Sequence, residues 1–172
     1  MFKKISIVLF VFVLGNQITF SQSDLNVLVY SKTGGFRHKS IDTGKEAFKT
    51  WGLQESWNVT YSEKPSEITN KNLKNIDVIV FLNTTHDVLD SLSRKAFQNF
   101  INNGGGFVGL HAASDTEFHW PWYYQMIGAY FKNHPKVQQA TLKVHKETNH
   151  PSITHFGDTF TVKDEWYNFR DD

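Results

Sequence analysis

Ile76-Asp77-Val78-Ile79-Val80-Phe81-Leu82, followed at once by Asn83-Thr84-Thr85-His86-Asp87, is the stretch that decides the fold. An almost unbroken β-branched and apolar run that ends in a polar loop describes a strand buried on both faces, as the interior of a parallel sheet requires. Upstream, Leu25-Asn26-Val27-Leu28-Val29-Tyr30 reads as a first strand before the glycine-marked loop Ser31 to His38. A helix follows, with Ser40 as its cap, Ile41, Ala47, Phe48 and Trp51 on one face, and Gly52 closing it in the left-handed conformation. Trp57 to Tyr61 is a second strand. Downstream, a helix is expected from about Ser91 to Asn102, with Leu92, Ala96, Phe97, Phe100 and Ile101 facing inward and Gly104-Gly105-Gly106 stopping it. Phe107-Val108-Gly109-Leu110 is a fourth strand that ends at His111. A further helix is expected over Trp120 to Phe131 with Pro121 in its first turn. Gln139 to His145 and Thr159 to Val162 then read as an antiparallel edge or hairpin. The alternation predicts an α/β fold, a doubly wound and mostly parallel sheet with helices on both faces.

Composition narrows the function classes. The chain has 172 residues, the size of one ordinary domain, and 40% apolar against 20% charged residues makes it globular. Eighteen Lys and Arg against seventeen Asp and Glu leave a formal charge of +1, without the clustered basic excess of a nucleic-acid binder. The absence of cysteine excludes a disulfide scaffold, a thiolate metal site and a cysteine nucleophile. Met1-Phe2-Lys3-Lys4, the apolar run Ile5 to Gly15, and the small residues Thr19 and Ser21 have the layout of an export leader over residues 1–21. The run is too short for a membrane span, so a periplasmic or secreted domain over residues 22–172, with no stable membrane anchor after cleavage, is expected.

In an open α/β sheet, ligands bind outside the carboxyl ends of the strands. Those ends carry Gly34, Gly35, Phe36, Arg37 and His38; Asn83, Thr84, Thr85, His86 and Asp87; and His111, Ser114 and Asp115. Gly109-Leu110-His111-Ala112-Ala113 resembles a nucleophile elbow, with histidine where serine or cysteine would stand. A histidine there can ligate a metal or move a proton. His134-Pro135 and His150-Pro151 each bias a histidine toward extended backbone. Asp164-Glu165 is a carboxylate pair that could act as base or ligand if histidines lie near it. The histidines have no ligand spacing along the chain, so a metal site is compatible with the sequence without being signalled by it. Gly104-Gly105-Gly106 precedes no helix and is no phosphate loop, and the aromatic run Trp120, Trp122, Tyr123, Tyr124 suits a core better than a sugar platform.

Taken in order, Gly35-Phe36-Arg37-His38, Asn83-Thr84-Thr85, Gly104 to His111, Gly128-Ala129-Tyr130-Phe131 with His134-Pro135, His150-Pro151 and Asp164-Glu165-Trp166-Tyr167 resemble the ThuA-like, trehalose-utilisation family over about residues 25–170. The resemblance implies a flavodoxin-like, class I glutamine amidotransferase-like fold and a role in carbohydrate breakdown, some members acting on 3-keto disaccharides. The amidotransferase cysteine is replaced by His111. Family members normally continue beyond the Asp-Glu-x-Tyr segment, which implies that the C-terminal part is incomplete here.

Three functions are compatible with these readings. The first is an exported enzyme (hydrolase, lyase or isomerase) acting on a disaccharide or 3-keto-sugar. It would use His111, Glu165 and Asp164 in catalysis, and Arg37, His38, Asn83, Thr84, Asp115 and His134 in substrate binding. A divalent metal such as zinc on His111 and His134 is an option within it. The second is a carbohydrate-binding module without catalysis on the same rim. The third is an amidase-type hydrolase, which the lack of cysteine disfavours. A small carbohydrate is the expected partner in the first two.

Overall fold

The structure is a computed structural model that describes residues 24–148 and 150–170. The expected leader over 1–21 lies outside the described residues. No helix among the described residues is long and apolar enough to cross a membrane.

The chain runs β1 (Asn26–Tyr30), α1 (Ser40–Glu55), β2 (Asn58–Ser62), β3 (Val78–Leu82), α2 (Ser91–Asn102), β4 (Gly106–Leu110), α3 (Pro121–Ile127), β5 (Phe131–Asn133), β6 (Gln138–Lys143), β7 (Thr159–Asp164) and β8 (Asn168–Phe169). The first four strands form one parallel sheet in the order β2-β1-β3-β4. The order reverses between β1 and β3, the topological switch point at which open α/β sheets take their ligands.

Side-chain alternation divides the core in two. Leu28, Tyr30, Ile79 and Phe81 face α2 and α3 and pack with Ala96, Phe97, Phe100 and Tyr123. Val27, Val29, Val80 and Leu82 face the other way, onto Phe48 of α1. This is why the central strands read as continuous apolar runs: each face meets a helix layer. The aromatics expected in the core are there, with Tyr123 fully buried and Trp120, Trp122 and Tyr124 packed around it.

Several local expectations are corrected. Gly52 does not cap α1. It lies inside the helix, where an added Cβ would fall 2.7 Å from Val59 Cγ2, so its service is close approach of helix to strand. Ser56 takes the left-handed position instead (φ 58°). Ser40 makes no capping bond; its hydroxyl accepts from Asn83 Nδ2 at 2.8 Å. Trp51 is 46% exposed, on the rim of the helix rather than its inner face. In α2 the buried positions are Ser93, Ala96, Phe97 and Phe100, an i, i+3, i+4, i+7 stripe, and Leu92, about 100° off that stripe, is 80% exposed. Helix α3 stops at Ile127, because Gly128 adopts φ +84° and its N–H bonds Tyr124 O. Phe131 therefore opens β5 instead of closing a helix. The expected hairpin is β6 with β7, in antiparallel register from Gln138↔Asp164 to Lys143↔Thr159.

Candidate functional site

The loop after β1 is held by the end of β3. The Thr85 hydroxyl donates to Phe36 O at 3.0 Å and accepts from Gly35 N at 3.1 Å, and Gly34 N donates to Thr85 O at 2.7 Å. A Cβ on Gly35 would fall 2.8 Å from the His86 ring, so only glycine lets the loop lie this close. This anchoring turns His38 toward the end of β4. There His111 takes φ 50°, left-handed backbone that a non-glycine residue adopts only under constraint. The space around it is bounded by small groups: a Cβ on Gly109 would meet Ala113 Cβ at 3.1 Å. The elbow expected at Gly109-Leu110-His111 is thus formed. Asn83, His86 and Glu117 also have positive φ, which gathers strained backbone at this rim of the sheet.

The C-terminal strands deliver the remaining groups. Pairing of β5 with β8 and of β6 with β7 lays residues 134–137 beside 165–167. Three imidazoles then surround one carboxylate oxygen. Glu165 Oε2 lies 3.3 Å from His111 Nε2, 3.8 Å from His134 Nε2 and 3.9 Å from His38 Nε2. The rings of His38 and His111 meet edge to face at 4.7 Å. The Tyr167 hydroxyl lies 3.1 Å from His111 Nε2, and its ring packs on Phe131 at 4.2 Å. Ligand atoms of His38, His111 and Glu165 lie within 4.8 Å of one another.

Electrostatics follow from burial and crowding. Burial lowers the pKa of His38, the His111 and His134 imidazoles add to this, and Glu165 only partly opposes it, so His38 is neutral at pH 7. Its Nδ1 is buried and has no hydrogen-bond partner among the described residues. Burial raises the Tyr167 phenol, and the carboxylates of Glu165, Asp115 and Asp164 raise it further, so the hydroxyl stays protonated. Burial also raises Asp115, against the pull of His86 and Arg170.

The other expected site residues have internal engagements. Asp164 Oδ1 accepts the backbone N–H of Glu165 at 2.8 Å, which orients the neighbouring carboxylate. Asn83 is buried and holds Ser40. Thr84 is fully buried, its hydroxyl 2.9 Å from that of Thr116. Arg37 turns away to a bidentate pair with Glu63, at 3.0 and 3.1 Å. His150 accepts from Ser152 N and heads a 3-10 turn. Tyr167 also lies at the site; in the sequence it stands out only as part of the Asp164-Glu165-Trp166-Tyr167 segment, with no role assigned to it.

A pocket of about 420 Å³ opens beside His111, lined by Phe107, Gly109, Ala113, Ser114, Ile127, Ala129 and Phe169. A larger hollow of about 660 Å³ lies at the opposite, amino end of β3 and β4, around Asp77, Phe100 and Gly105. Its only charged linings are Lys74 and Asp77, so the convergent chemistry and the larger space are at opposite ends of the sheet.

The sequence profile of a family described as ThuA, trehalose utilisation, matches residues 26–172. Two solved structures are similar. A ThuA-like protein from Bacteroides uniformis ATCC 8492 is 25% identical with a TM-score of 0.73, over 90% of this chain and 65% of its own. A ThuA-like protein from Parabacteroides merdae ATCC 43184 is 14% identical with a TM-score of 0.68, over 84% of this chain and 63% of its own, a likeness of fold. The chain thus spans just under two thirds of the length of both. No curated protein is significantly similar to it.

Proposed function

Because the chain belongs to the ThuA family, described as trehalose utilisation, we propose that it binds a disaccharide or a 3-keto-sugar derivative at the strand-end cluster and acts on it by proton transfer. The observation that carries this reading is the encirclement of Glu165 Oε2 by the Nε2 atoms of His111, His134 and His38 at 3.3, 3.8 and 3.9 Å. Such a set can take a proton at one point of a bound sugar and return it at another. A ketone acidifies the C–H beside it, so an oxidised sugar is the substrate class for which this needs no protein nucleophile. Glu165 is the base in this reading, His111 its proton partner, and Tyr167 the group that orients His111. His38 and His134 frame the opening. With no thiol in the chain, amide hydrolysis through a cysteine is not available.

A second reading, binding without turnover, draws on Phe36, which is 69% exposed and edge-on to His38 at 4.9 Å. An open ring at the mouth is suited to stacking on a pyranose.

One experiment separates the two. Turnover and binding of 3-keto-trehalose are measured for the chain and for its His111→Ala and Glu165→Gln variants. Loss of about 10²- to 10⁴-fold in kcat with binding largely kept is expected. Unchanged turnover in both variants rejects the site assignment, and binding with no turnover in any form selects the second reading.

A further inference from the structure

We infer that His38, His111 and Glu165, with His134 beside them on the same carboxylate oxygen, form a binding site for one divalent transition-metal ion of the zinc type. The inference rests on the same reading of the strand-end cluster as a functional site, and it deepens that reading by making His111 and Glu165 ligands of an ion that would polarise the sugar ketone, in place of a free acid–base pair.

His134 Nδ1 lies 2.8 Å from the carbonyl oxygen of Pro135. A carbonyl cannot donate, so Nδ1 carries the proton, and in the neutral ring the lone pair is on Nε2. That lone pair lies 3.8 Å from Glu165 Oε2, itself an acceptor. Two acceptors face each other, and something positive belongs between them. A proton on His134 would serve this one contact only. The same oxygen also lies 3.3 Å from His111 Nε2 and 3.9 Å from His38 Nε2, so three imidazole nitrogens converge on it.

Ligand atoms about 2.0–2.1 Å from a tetrahedral centre lie about 3.3–3.4 Å apart; His111 Nε2 is 3.3 Å from Glu165 Oε2, and the ligand atoms of His38, His111 and Glu165 all lie within 4.8 Å of one another, so a small inward shift would close them on a cation. The bond from Nδ1 to a backbone carbonyl is also the second contact by which ligating histidines are usually fixed. Asp164, accepting the Glu165 N–H, steadies the carboxylate. Imidazoles together with a carboxylate favour zinc, cobalt, nickel or iron over magnesium and calcium, which prefer all-oxygen shells.

The test uses no sugar. The chain is treated with EDTA, dialysed, and titrated with Zn²⁺ by calorimetry and with Co²⁺ by visible absorbance, with Mg²⁺ as the comparison ion. One equivalent of Zn²⁺, intense tetrahedral Co²⁺ bands and no Mg²⁺ binding are expected. Affinity for Zn²⁺ should fall at least about 100-fold in His111→Ala and in the near-isosteric Glu165→Gln, and about 10-fold or more in His134→Ala. His145→Ala, at an exposed pair with Glu147 outside the ligand group, should bind as the parent does. Far-UV circular dichroism confirms that each variant is folded. Absence of saturable Zn²⁺ binding, or equal affinity in the parent and the folded Glu165→Gln and His134→Ala variants, overturns the inference. Sugar turnover by a chain that binds no zinc would overturn this inference alone. Zinc binding without any sugar binding would overturn the proposed function alone.

Discussion

Tyr167 shows how one residue is tuned by its surroundings. Burial and then the negative charges of Glu165, Asp115 and Asp164 hold its phenol protonated, and the hydroxyl lies against His111 Nε2. The ring is separately anchored on Phe131. Tyr167→Phe therefore removes the hydrogen bond and keeps the packing. A lost hydrogen bond costs about 1 kcal/mol, so Tm should fall by only about 2–4 °C, whereas a misoriented His111 should lower kcat about tenfold with little change in KM. Steady-state kinetics on the keto-sugar test this, and an unchanged kcat would remove Tyr167 from the site. Histidine at the elbow follows the same logic: with φ 50° and small neighbours, the turn points the imidazole outward from the strand end.

Among the elements, α2 joins local and tertiary design most closely. Its N-terminus carries a capping box, with Asp90 Oδ1 accepting from Ser93 N at 2.8 Å and Ser93 Oγ accepting from Asp90 N at 2.8 Å. Its buried stripe then delivers Phe97 between Phe81, stacked at 5.2 Å, and Phe107, edge-on at 5.6 Å. Such pairs contribute about 0.5–1.5 kcal/mol each beyond area burial. Phe97→Ala leaves a void under β3 and β4, and should destabilise the chain by about 3–5 kcal/mol in urea unfolding. Leu92→Ala, one position off the stripe, should change it by less than about 0.5 kcal/mol. Equal effects would mean that the helix packs by another face.

For the whole molecule, the doubly wound sheet sets up two charge arrangements around the carboxyl rim. One is the histidine cluster. The other is Glu63 at the end of β2, clamped by Arg37 and by Lys45, whose Nζ lies 2.7 Å away. Burial pushes Glu63 up, but the hydrogen bonds of Arg37 and Lys45 outweigh it and bring its pKa down to about 2. A carboxylate lowered on folding stabilises above its unfolded pKa of about 4.5, and that contribution is lost as pH falls toward 2. The side chain is 39% exposed, so solvent screening limits the contribution to about 1 kcal/mol or less. In urea melts, Glu63→Gln should be less stable than the parent at pH 7, with the gap narrowing toward pH 2.5. A gap that stays constant would show that the ion pairs do not couple folding to pH. By tethering the β1 loop to β2, these pairs also help hold His38 in place.

Local sequence is enough to specify the four strands of the parallel sheet, the β6–β7 pair, the helix between β3 and β4, the polar strand ends and the elbow at His111. Each is written in adjacent residues: apolar runs at Val78 to Leu82, the 3.6-residue period of Ala96, Phe97 and Phe100, and small residues around His111. Where neighbours compete for the same pattern, local sequence leaves the position or the role open, as at Leu92, which lies beside the stripe, and at Gly52, whose missing side chain serves packing and not capping. The tertiary structure alone decided which polar groups meet. His38, His111, His134 and Glu165 come from four separate segments with no spacing in common. Their convergence depends on the crossover order of the sheet and on the antiparallel pairing that brings residues 134–137 beside 165–167. The same long-range geometry drew Arg37 away to Glu63 and buried Thr84. Local sequence carries backbone preference and burial period, whereas a site of this kind depends on distances between segments that only the packed sheet sets.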